Sequence, residues 1–192
     1  TGVEKESGAH ILCALKGFSF WKAVPMMRDY VHGATASSLF EAKLIEEEWG
    51  SKAHMCCPVY LENDFEEITS IASHLTFNSL NQYERFGKRA INKGVSVGLR
   101  INPEYSEIDT ELYNPASPNS RLGIRGLKEL PKDVDGVHFH VLCENDSFTL
   151  ERVLQKVTAD FEPLLHQAKW INMGGGCLLY TSPSPRDKRQ SR

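Results

Sequence analysis

Short apolar runs alternate along this chain with segments whose apolar residues recur at helical spacing. The first run, residues 11–15, is too short for a core helix and is typical of a strand buried on both faces. Six later runs predict further strands, at 33–36, 53–59, 75–77, 95–101, 137–141 and 169–173. Seven strands with helices between most of them favour a parallel sheet.

Helical periodicity accounts for most of the intervening sequence. Helices are predicted over 21–31, 38–50, 64–72 and 80–90, and from Asp146 or Ser147 to residue 161. Ser38 with Glu41 three positions later forms a capping-box pattern, and Asp64 is the expected N-cap of the next helix. The segment 102–131 holds four prolines and is interpreted as a long ordered excursion.

The order of these elements predicts an α/β fold. An open doubly wound sheet remains an alternative, but seven regular units suit an incomplete (β/α)8 TIM-like barrel better, with about seven of its eight units present. We assign residues 1–176 to this partial barrel. The chain opens shortly before its first strand, so we expect it to be a fragment whose exposed strand edges favour aggregation.

Residues 177–192 do not continue the pattern. The segment Ser182-Pro183-Ser184-Pro185 leads into a basic run, and the string resembles the translation of a sequencing-library adapter. We expect a non-native, disordered tail and exclude it from the fold. The tail carries a net charge of +3, which leaves −6 on residues 1–176.

Composition limits the classes of function. Residues 1–176 are acidic overall and contain no cluster of basic residues, which argues against nucleic-acid binding. No stretch approaches 18 apolar residues, so no membrane span is expected. The five cysteines are odd in number and include no C-x-x-C, which favours reduced thiols in a cytoplasmic protein.

Two features at strand ends could carry chemistry. Lys16 closes the first strand, and a lysine at the carboxyl end of a barrel strand is placed for Schiff-base formation, although position alone favours a surface lysine. Gly174, Gly175 and Gly176 follow the seventh strand, where barrels often bind phosphate; a simple flexible turn is the alternative. Together they suggest a barrel built around an aldehyde cofactor with a phosphate group.

Two histidines alternate on the sixth strand. His138 and His140 should face the same side, so three hypotheses stay open: a metal pair as in barrel hydrolases, a ring stacked on a flat heteroaromatic group, or two core histidines. Arg121 follows the proline-rich excursion and, taken alone, is interpreted as structural.

Several motifs together resemble the pyridoxal-phosphate decarboxylases of the alanine racemase/ornithine decarboxylase barrel type (fold type III). The most specific are Ala14-Leu15-Lys16-Gly17-Phe18-Ser19, and the strand-end string from His140 through Cys143-Glu144-Asn145-Asp146. Further matches are 37–41, 77–79, 100–103, 120–123 and 173–176, so the resemblance covers essentially all of residues 9–176. Within this type, the chain most resembles the carboxynorspermidine (carboxyspermidine) decarboxylases.

The resemblance implies a role for each matched residue. Lys16 would form the Schiff base with pyridoxal 5'-phosphate and take part in proton transfer, and His140 would lie against the cofactor ring. Arg121 would lie near the cofactor pocket, and Gly174–Gly176 around the phosphate. Glu144 and Asn145 would affect the placement of substrate or cofactor, which is a weaker inference. No metal is implied.

The implied activity is decarboxylation of carboxynorspermidine or carboxyspermidine to norspermidine or spermidine, in a cytoplasmic homodimer. A related decarboxylase acting on diaminopimelate or a basic amino acid, and a non-catalytic pyridoxal-phosphate-binding barrel, are the alternatives. Members of the family are about twice as long and carry a β-rich second domain. That missing half would hold the acid that pairs with the pyridine nitrogen.

Overall fold

The computed structural model describes residues 2–108, 111–143 and 145–175. They divide into two compact units, one formed by residues 2–99 with 133–135 and the other by 100–132 with 136–175. The described residues contain seven strands, one in each region where the sequence predicts one. No helix among the described residues is long and apolar enough to cross a bilayer.

The first unit is a parallel sheet whose strands follow chain order. Its strands are β1 (Leu12–Ala14), β2 (Gly33–Ala36), β3 (Ala53–Cys56), β4 (Ala72–Phe77) and β5 (Ser96–Arg100), of which only the last residue, Arg100, is assigned to the second unit. The register places His54 beside His74, and His74 beside Ser96. This polar row occupies one face of the sheet, while Met55, Leu75 and other apolar residues of the same strands are buried.

The helices of this unit are α1 (Gly2–Ser7), α2 (Val24–Met27), α3 (Leu39–Leu44), α4 (Glu62–Ile71) and α5 (Leu80–Asn92). An aromatic cluster forms much of the core beneath α4 and α5. Phe65 packs on Phe86 with ring centroids 4.4 Å apart, and Tyr60 meets Phe77 edge-on at 5.6 Å. The buried Tyr60 hydroxyl donates to the Thr76 carbonyl at 3.0 Å, so its polar end is satisfied.

The helix predicted over 21–31 is wrong in extent. The segment forms a 3₁₀ turn at Trp21–Ala23 and the single turn of α2, which buries only Val24. An amphipathic face is what stabilises a short helix in water, and here Met26 and Tyr30 are exposed. The chain therefore leaves the helix after one turn.

The capping box that begins α3 is confirmed. The Ser38 hydroxyl accepts the Glu41 amide at 3.2 Å, and the Glu41 carboxylate accepts the Ser37 amide, one residue earlier than in the usual box. Beyond α3 the helix widens into a π-helical turn, Ile45–Trp49, which buries both of its end residues. Gly50 then ends it at φ 68°, in the left-handed region that glycine favours.

The prediction that Asp64 caps α4 is wrong. The helix begins at Glu62, and its N-cap is Leu61, which makes no side-chain cap bond. Asp64 lies inside the first turn, where a carboxylate interacts favourably with the exposed amides and the helix dipole.

The second unit holds β6 (Gly136–His138), β7 (Trp170–Asn172) and the long helix α6 (Ser147–Gln167). The two strands are parallel neighbours, as a strand–helix–strand connection requires. Asp146 caps α6 by accepting the Thr149 amide at 2.8 Å, which confirms the predicted start. The excursion after β5 folds back so that Ile124 pairs with Ile101 in a parallel bridge.

Candidate functional site

Lys16 lies in the turn that follows β1. The Leu15 amide still donates to the Thr35 carbonyl at 3.2 Å, and the Gly17 and Phe18 amides both donate to the Ala14 carbonyl at 3.0 Å. These bonds close a tight turn around Lys16 at the carboxyl end of the strand, with the lysine exposed. The primary amine is therefore accessible to a reagent at the strand end where barrels place their chemistry.

In the second unit, His138 and His140 lie in very different environments. His138 is 2% exposed, and its Nδ1–H donates to the Asn172 carbonyl at 3.0 Å. Burial, followed by the positive charge of Arg100 and the proximity of His140, lowers the pKa of His138 to about 3, so this ring is a neutral core residue. His140 is exposed, and the two ring centroids are 6.3 Å apart.

His140 is held by the glycines that follow β7. The Gly175 amide donates to Nδ1 of His140 at 3.3 Å. A backbone N–H can only donate, so this nitrogen carries no proton, and in the neutral ring the proton is on Nε2. Gly174 lies so close that a Cβ there would be 2.7 Å from the same nitrogen and 2.6 Å from the Phe139 carbonyl oxygen.

Two residues that the sequence analysis did not assign to the site matter here: Arg100 bonds His140 directly, and Asn172 bonds the glycine that lies against it. The Arg100 guanidinium, at the end of β5 and 8% exposed, donates to the His140 carbonyl at 3.3 Å. The Asn172 Oδ1 accepts the Gly174 amide at 2.8 Å. An Asn two residues before a glycine is a turn signal, so Asn172 could have been found; a buried arginine at a strand end offers no comparable pattern.

Arg121 is exposed, and its loop is fastened beside the end of β5. The side-chain Nδ2 of Asn102 donates to the Leu122 carbonyl at 3.0 Å, and its backbone N–H donates to the Ile124 carbonyl at 2.9 Å. Gly123, at φ 82°, fits there because a Cβ would meet the Ile101 backbone at 2.8 Å. These bonds fix where the backbone of Arg121 lies.

Asn145 plays a structural part in the loop after β6. Its Oδ1 accepts the Cys143 amide at 2.8 Å, and its Nδ2 donates to the Glu107 carbonyl at 3.2 Å. The other two predicted residues of these loops, Glu144 and Gly176, lie outside the described residues.

The excursion is tied to α6 by a paired ionic contact. Arg152 donates to the two Glu107 oxygens at 2.7 and 2.6 Å, and the Tyr105 hydroxyl donates to the same carboxylate. The hydrogen bonds from Arg152, followed by that from Tyr105, lower the pKa of Glu107 to about 2. The Ser106 hydroxyl adds a bond to the Val141 carbonyl at 2.8 Å, which connects the excursion to the end of β6.

Metal ligation was one hypothesis for the two histidines. Within residues 2–108, 111–143 and 145–175, no group of three or more His, Cys, Asp or Glu side chains is arranged to hold a metal ion. Both imidazoles instead use Nδ1 in bonds to the backbone.

No family model matches the chain. Curated relatives do. The carboxynorspermidine/carboxyspermidine decarboxylase of Campylobacter jejuni is 41% identical over 177 residues, which are 91% of this chain and 46% of that protein. The carboxyaminopropylagmatine decarboxylase of Synechocystis is 41% identical over 180 residues, 92% of this chain and 46% of that protein.

The solved structures agree with these relatives. The crystal structure of carboxynorspermidine decarboxylase from Campylobacter jejuni, complexed with norspermidine, superposes with a TM-score of 0.82 at 37% identity. The match covers 91% of this chain and 45% of that one. The chain is therefore homologous to one half of the carboxynorspermidine/carboxyspermidine decarboxylases. It spans about half the length of the curated relatives it matches.

A more distant structure supports the fold alone. Diaminopimelate decarboxylase from Helicobacter pylori, complexed with L-lysine, superposes with a TM-score of 0.70 at 16% identity over 92% of this chain. The fold class predicted from the sequence, a TIM-type (β/α) barrel, is confirmed by the carboxynorspermidine decarboxylase structure. The diaminopimelate alternative is the weaker of the two, because its identity is less than half as high.

Proposed function

We propose that the protein carrying this chain is a pyridoxal-phosphate-dependent decarboxylase of carboxynorspermidine or carboxyspermidine. The single observation that carries the proposal is Lys16, an exposed amine at the carboxyl end of β1 in a chain related to these decarboxylases. One of the relatives is a carboxyaminopropylagmatine decarboxylase, so carboxyaminopropylagmatine is a further candidate substrate.

The described residues fit such a cofactor. Gly174 leaves a space that a Cβ would fill, and this space lets the backbone after β7 approach His140. The Gly175 amide holds the exposed His140 ring, and Arg100 holds its backbone carbonyl, so a flat face is presented in one orientation. A ring of this kind can stack on a flat heteroaromatic group, which is the role that the family resemblance implies for His140.

Gly174–Gly176 are proposed as the phosphate-side backbone. In the described residues, the Gly174 amide donates to Asn172 Oδ1 and the Gly175 amide donates to His140 Nδ1. Arg121 would supply a positive charge near the cofactor, and Glu144 and Asn145 would influence the placement of the substrate.

The proposed chemistry divides between cofactor and chain. Pyridoxal phosphate, when bound, supplies an electron sink for the electrons of the bond to the departing CO2. The Lys16 amine would hold the aldehyde of the cofactor and would move a proton at Nζ. His140 would cover one face of the ring and exclude water from it.

Borohydride trapping tests this assignment. The chain is incubated with pyridoxal phosphate, reduced, digested and mapped by mass spectrometry. We expect the covalent adduct on Lys16 and its loss in Lys16→Met. Lys22→Met is the matched control, because Lys22 is a nearby exposed lysine that lies over the Trp21 ring at 5.3 Å. An adduct on any other lysine would overturn the proposal.

Release of CO2 separates the remaining functions. The whole protein that carries this sequence is assayed in parallel with carboxynorspermidine, carboxyspermidine, carboxyaminopropylagmatine and diaminopimelate. Turnover of the first two supports the proposal, and turnover of either of the others alone reassigns the substrate. An adduct on Lys16 without CO2 release from any of them would favour the non-catalytic pyridoxal-phosphate-binding barrel.

The proposal includes a homodimer in the cytoplasm. The cysteines among the described residues (Cys13, Cys56, Cys57 and Cys143) are free, as in a reducing compartment. Light scattering of the whole protein checks the dimer, and a monomer at micromolar concentration would contradict it.

A further inference from the structure

Asn172 accepts two hydrogen bonds from His138 and Phe139 and a third from Gly174. Its carbonyl oxygen accepts the Phe139 amide at 3.0 Å and the His138 Nδ1–H at 3.0 Å. Its side-chain Oδ1 turns forward along the chain and accepts the Gly174 amide at 2.8 Å. One residue at the end of β7 therefore fixes both the neighbouring strand and the first glycine of the triplet.

The turn that Asn172 closes brings the next amide onto His140. Gly174 has φ 69°, a conformation that suits glycine. Its Cα lies so close to His140 that a Cβ would not fit between them. Gly175 follows, and its amide points to Nδ1 of His140 at 3.3 Å. The His140 ring would lose this bond if Nδ1 carried a proton, because two N–H groups would then face each other.

The two histidines thus have opposite tautomers with a common origin. The Asn172 carbonyl requires a proton on Nδ1 of His138, and the Gly175 amide requires that Nδ1 of His140 has none. The difference follows from which backbone group each ring meets, and Asn172 contributes to both.

We propose that Asn172 is a positioning residue: by accepting the Gly174 amide on Oδ1, it directs the Gly175 amide onto His140 and fixes that imidazole as the Nε2–H tautomer. This positioning role has a catalytic meaning only if the proposed function is right, because His140 is the ring that would lie against the cofactor. In this arrangement the Gly174 and Gly175 amides position the histidine.

Nitrogen NMR of the full chain without cofactor tests the tautomer directly. Long-range ¹⁵N–¹H spectra at neutral pH separate protonated from unprotonated imidazole nitrogens, and His140→Gln identifies the His140 signals. We expect Nδ1 of His140 in the unprotonated range and Nε2 in the protonated range. A protonated Nδ1 in the wild-type chain would overturn the proposal.

Three variants examine the role of Asn172. Asn172→Ala removes the acceptor, so the two nitrogen signals of His140 should move toward each other as the tautomers exchange. Asn172→Asp keeps an acceptor oxygen and should restore the wild-type tautomer. Asn114→Ala is the matched control, because Asn114 Oδ1 makes the same two-residue bond, to the Ala116 amide at 2.9 Å, in an unrelated turn. An Asn172→Ala spectrum identical to wild type would refute the role.

Hydrogen exchange keeps the test decisive if Asn172→Ala is unfolded by circular dichroism. In the wild-type chain, the Gly174 and Gly175 amides should be protected from exchange at least about tenfold relative to an unstructured peptide. Exchange of the Gly174 amide at the unstructured rate would show that the bond to Asn172 is not formed, and would overturn the proposal.

The Asp variant separates this inference from the proposed function. A negative charge beside the glycines should weaken pyridoxal phosphate binding about tenfold while the His140 tautomer is unchanged. If borohydride labels no residue of the wild-type chain but the nitrogen spectra are as expected, the cofactor assignment fails and the positioning role stands. If Lys16 is labelled but Nδ1 of His140 is protonated, the cofactor assignment stands and the positioning role of Asn172 fails.

Discussion

The imidazole of His54 lies flat against that of His74, with ring centroids 4.1 Å apart and an interplanar angle of 10°. The two residues are register partners on β3 and β4, and both are half-buried. Burial first, and then His74 and His32, lowers the pKa of His54 to about 4. Burial also lowers the pKa of His74, and the nearby Asp135 opposes that shift. The stack is therefore a neutral pair at pH 7.

This pair should make the fold sensitive to mild acid. An unfolded histidine has a pKa of about 6.5, so between pH 6.5 and 4 the unfolded chain binds more protons than the folded one. The contribution of the neutral histidine pair to the stability of the fold is fully present above pH 6.5 and is lost as the pH falls toward 4. Allowing for the partial exposure of His54, we expect a loss of about 2 kcal/mol, measured by urea unfolding across this range.

His54→Gln provides the check on that assignment. Removing one titrating ring should flatten the pH dependence between 6.5 and 4. His166→Gln, which changes an exposed histidine of α6, should leave the slope as in the wild type. An unchanged slope in His54→Gln would assign the acid sensitivity to other groups.

Gly174→Ala should disturb His140, whereas Gly175→Ala should not. A Cβ on Gly174 would overlap His140 and the Phe139 carbonyl, and the φ of 69° adds strain. We expect a cost of about 1–3 kcal/mol in the free energy of unfolding and a pyridoxal phosphate affinity at least about tenfold weaker.

A Cβ on Gly175 meets nothing within 4 Å, so this matched variant should bind and unfold like the wild type. Thermal melts and fluorescence titration with pyridoxal phosphate measure both properties. Equal behaviour of the two alanine variants would show that His140 and the loop adjust without cost.

Gly136→Ala should destabilise the second unit. The Trp170 ring of β7 packs directly over Gly136 of β6, and a methyl group there would overlap the indole. We expect a loss of about 1–3 kcal/mol from overpacking, measured by urea unfolding. Gly33→Ala, whose Cβ would make an ordinary contact with Leu12 at 3.6 Å, is the comparison within a strand.

A double variant identifies the cause. Trp170→Leu in the Gly136→Ala background should recover part of the loss, because the smaller side chain makes room for the methyl group. Strictly additive effects of the two substitutions would indicate that backbone conformation, and not the indole, limits position 136.

Ser79→Ala should weaken the start of α5. The Ser79 hydroxyl accepts the Gln82 amide at 3.3 Å, and loss of a cap of this kind costs about 1 kcal/mol. Ser79→Asp keeps an acceptor and should retain most of the stability, whereas Ser70→Ala, at an exposed serine inside α4, should have little effect. Chemical denaturation compares all three. No difference between the two alanine variants would contradict the capping role.

The strands were the most predictable part of the fold, and their ends were the least. The strand predicted over 53–59 ends at Cys56, because Pro58 has no amide to continue the ladder. The strand predicted over 75–77 begins at Ala72, since Ser73 and His74 are polar residues on a sheet face and conceal the apolar pattern. Helix α1 was not predicted at all.

The candidate site was predictable only residue by residue. Position along the chain identified Lys16 and His140, because each follows a recognisable strand. The bonds that hold His140 come from Arg100 and Gly175, which are 40 and 35 residues away. Contacts over such separations leave no periodic trace in one sequence, so the role of Arg100 required the structure, whereas Asn172 could have been found from its local turn signal.

The contact between Glu107 and Arg152 has a consequence for how the proline-rich excursion behaves in different buffers. Both side chains are reachable by solvent, so dissolved ions compete for them and screen their attraction. The segment around Tyr105 should accordingly be held most firmly in dilute buffer and loosen as ionic strength rises, while the apolar interior of the same unit keeps its packing.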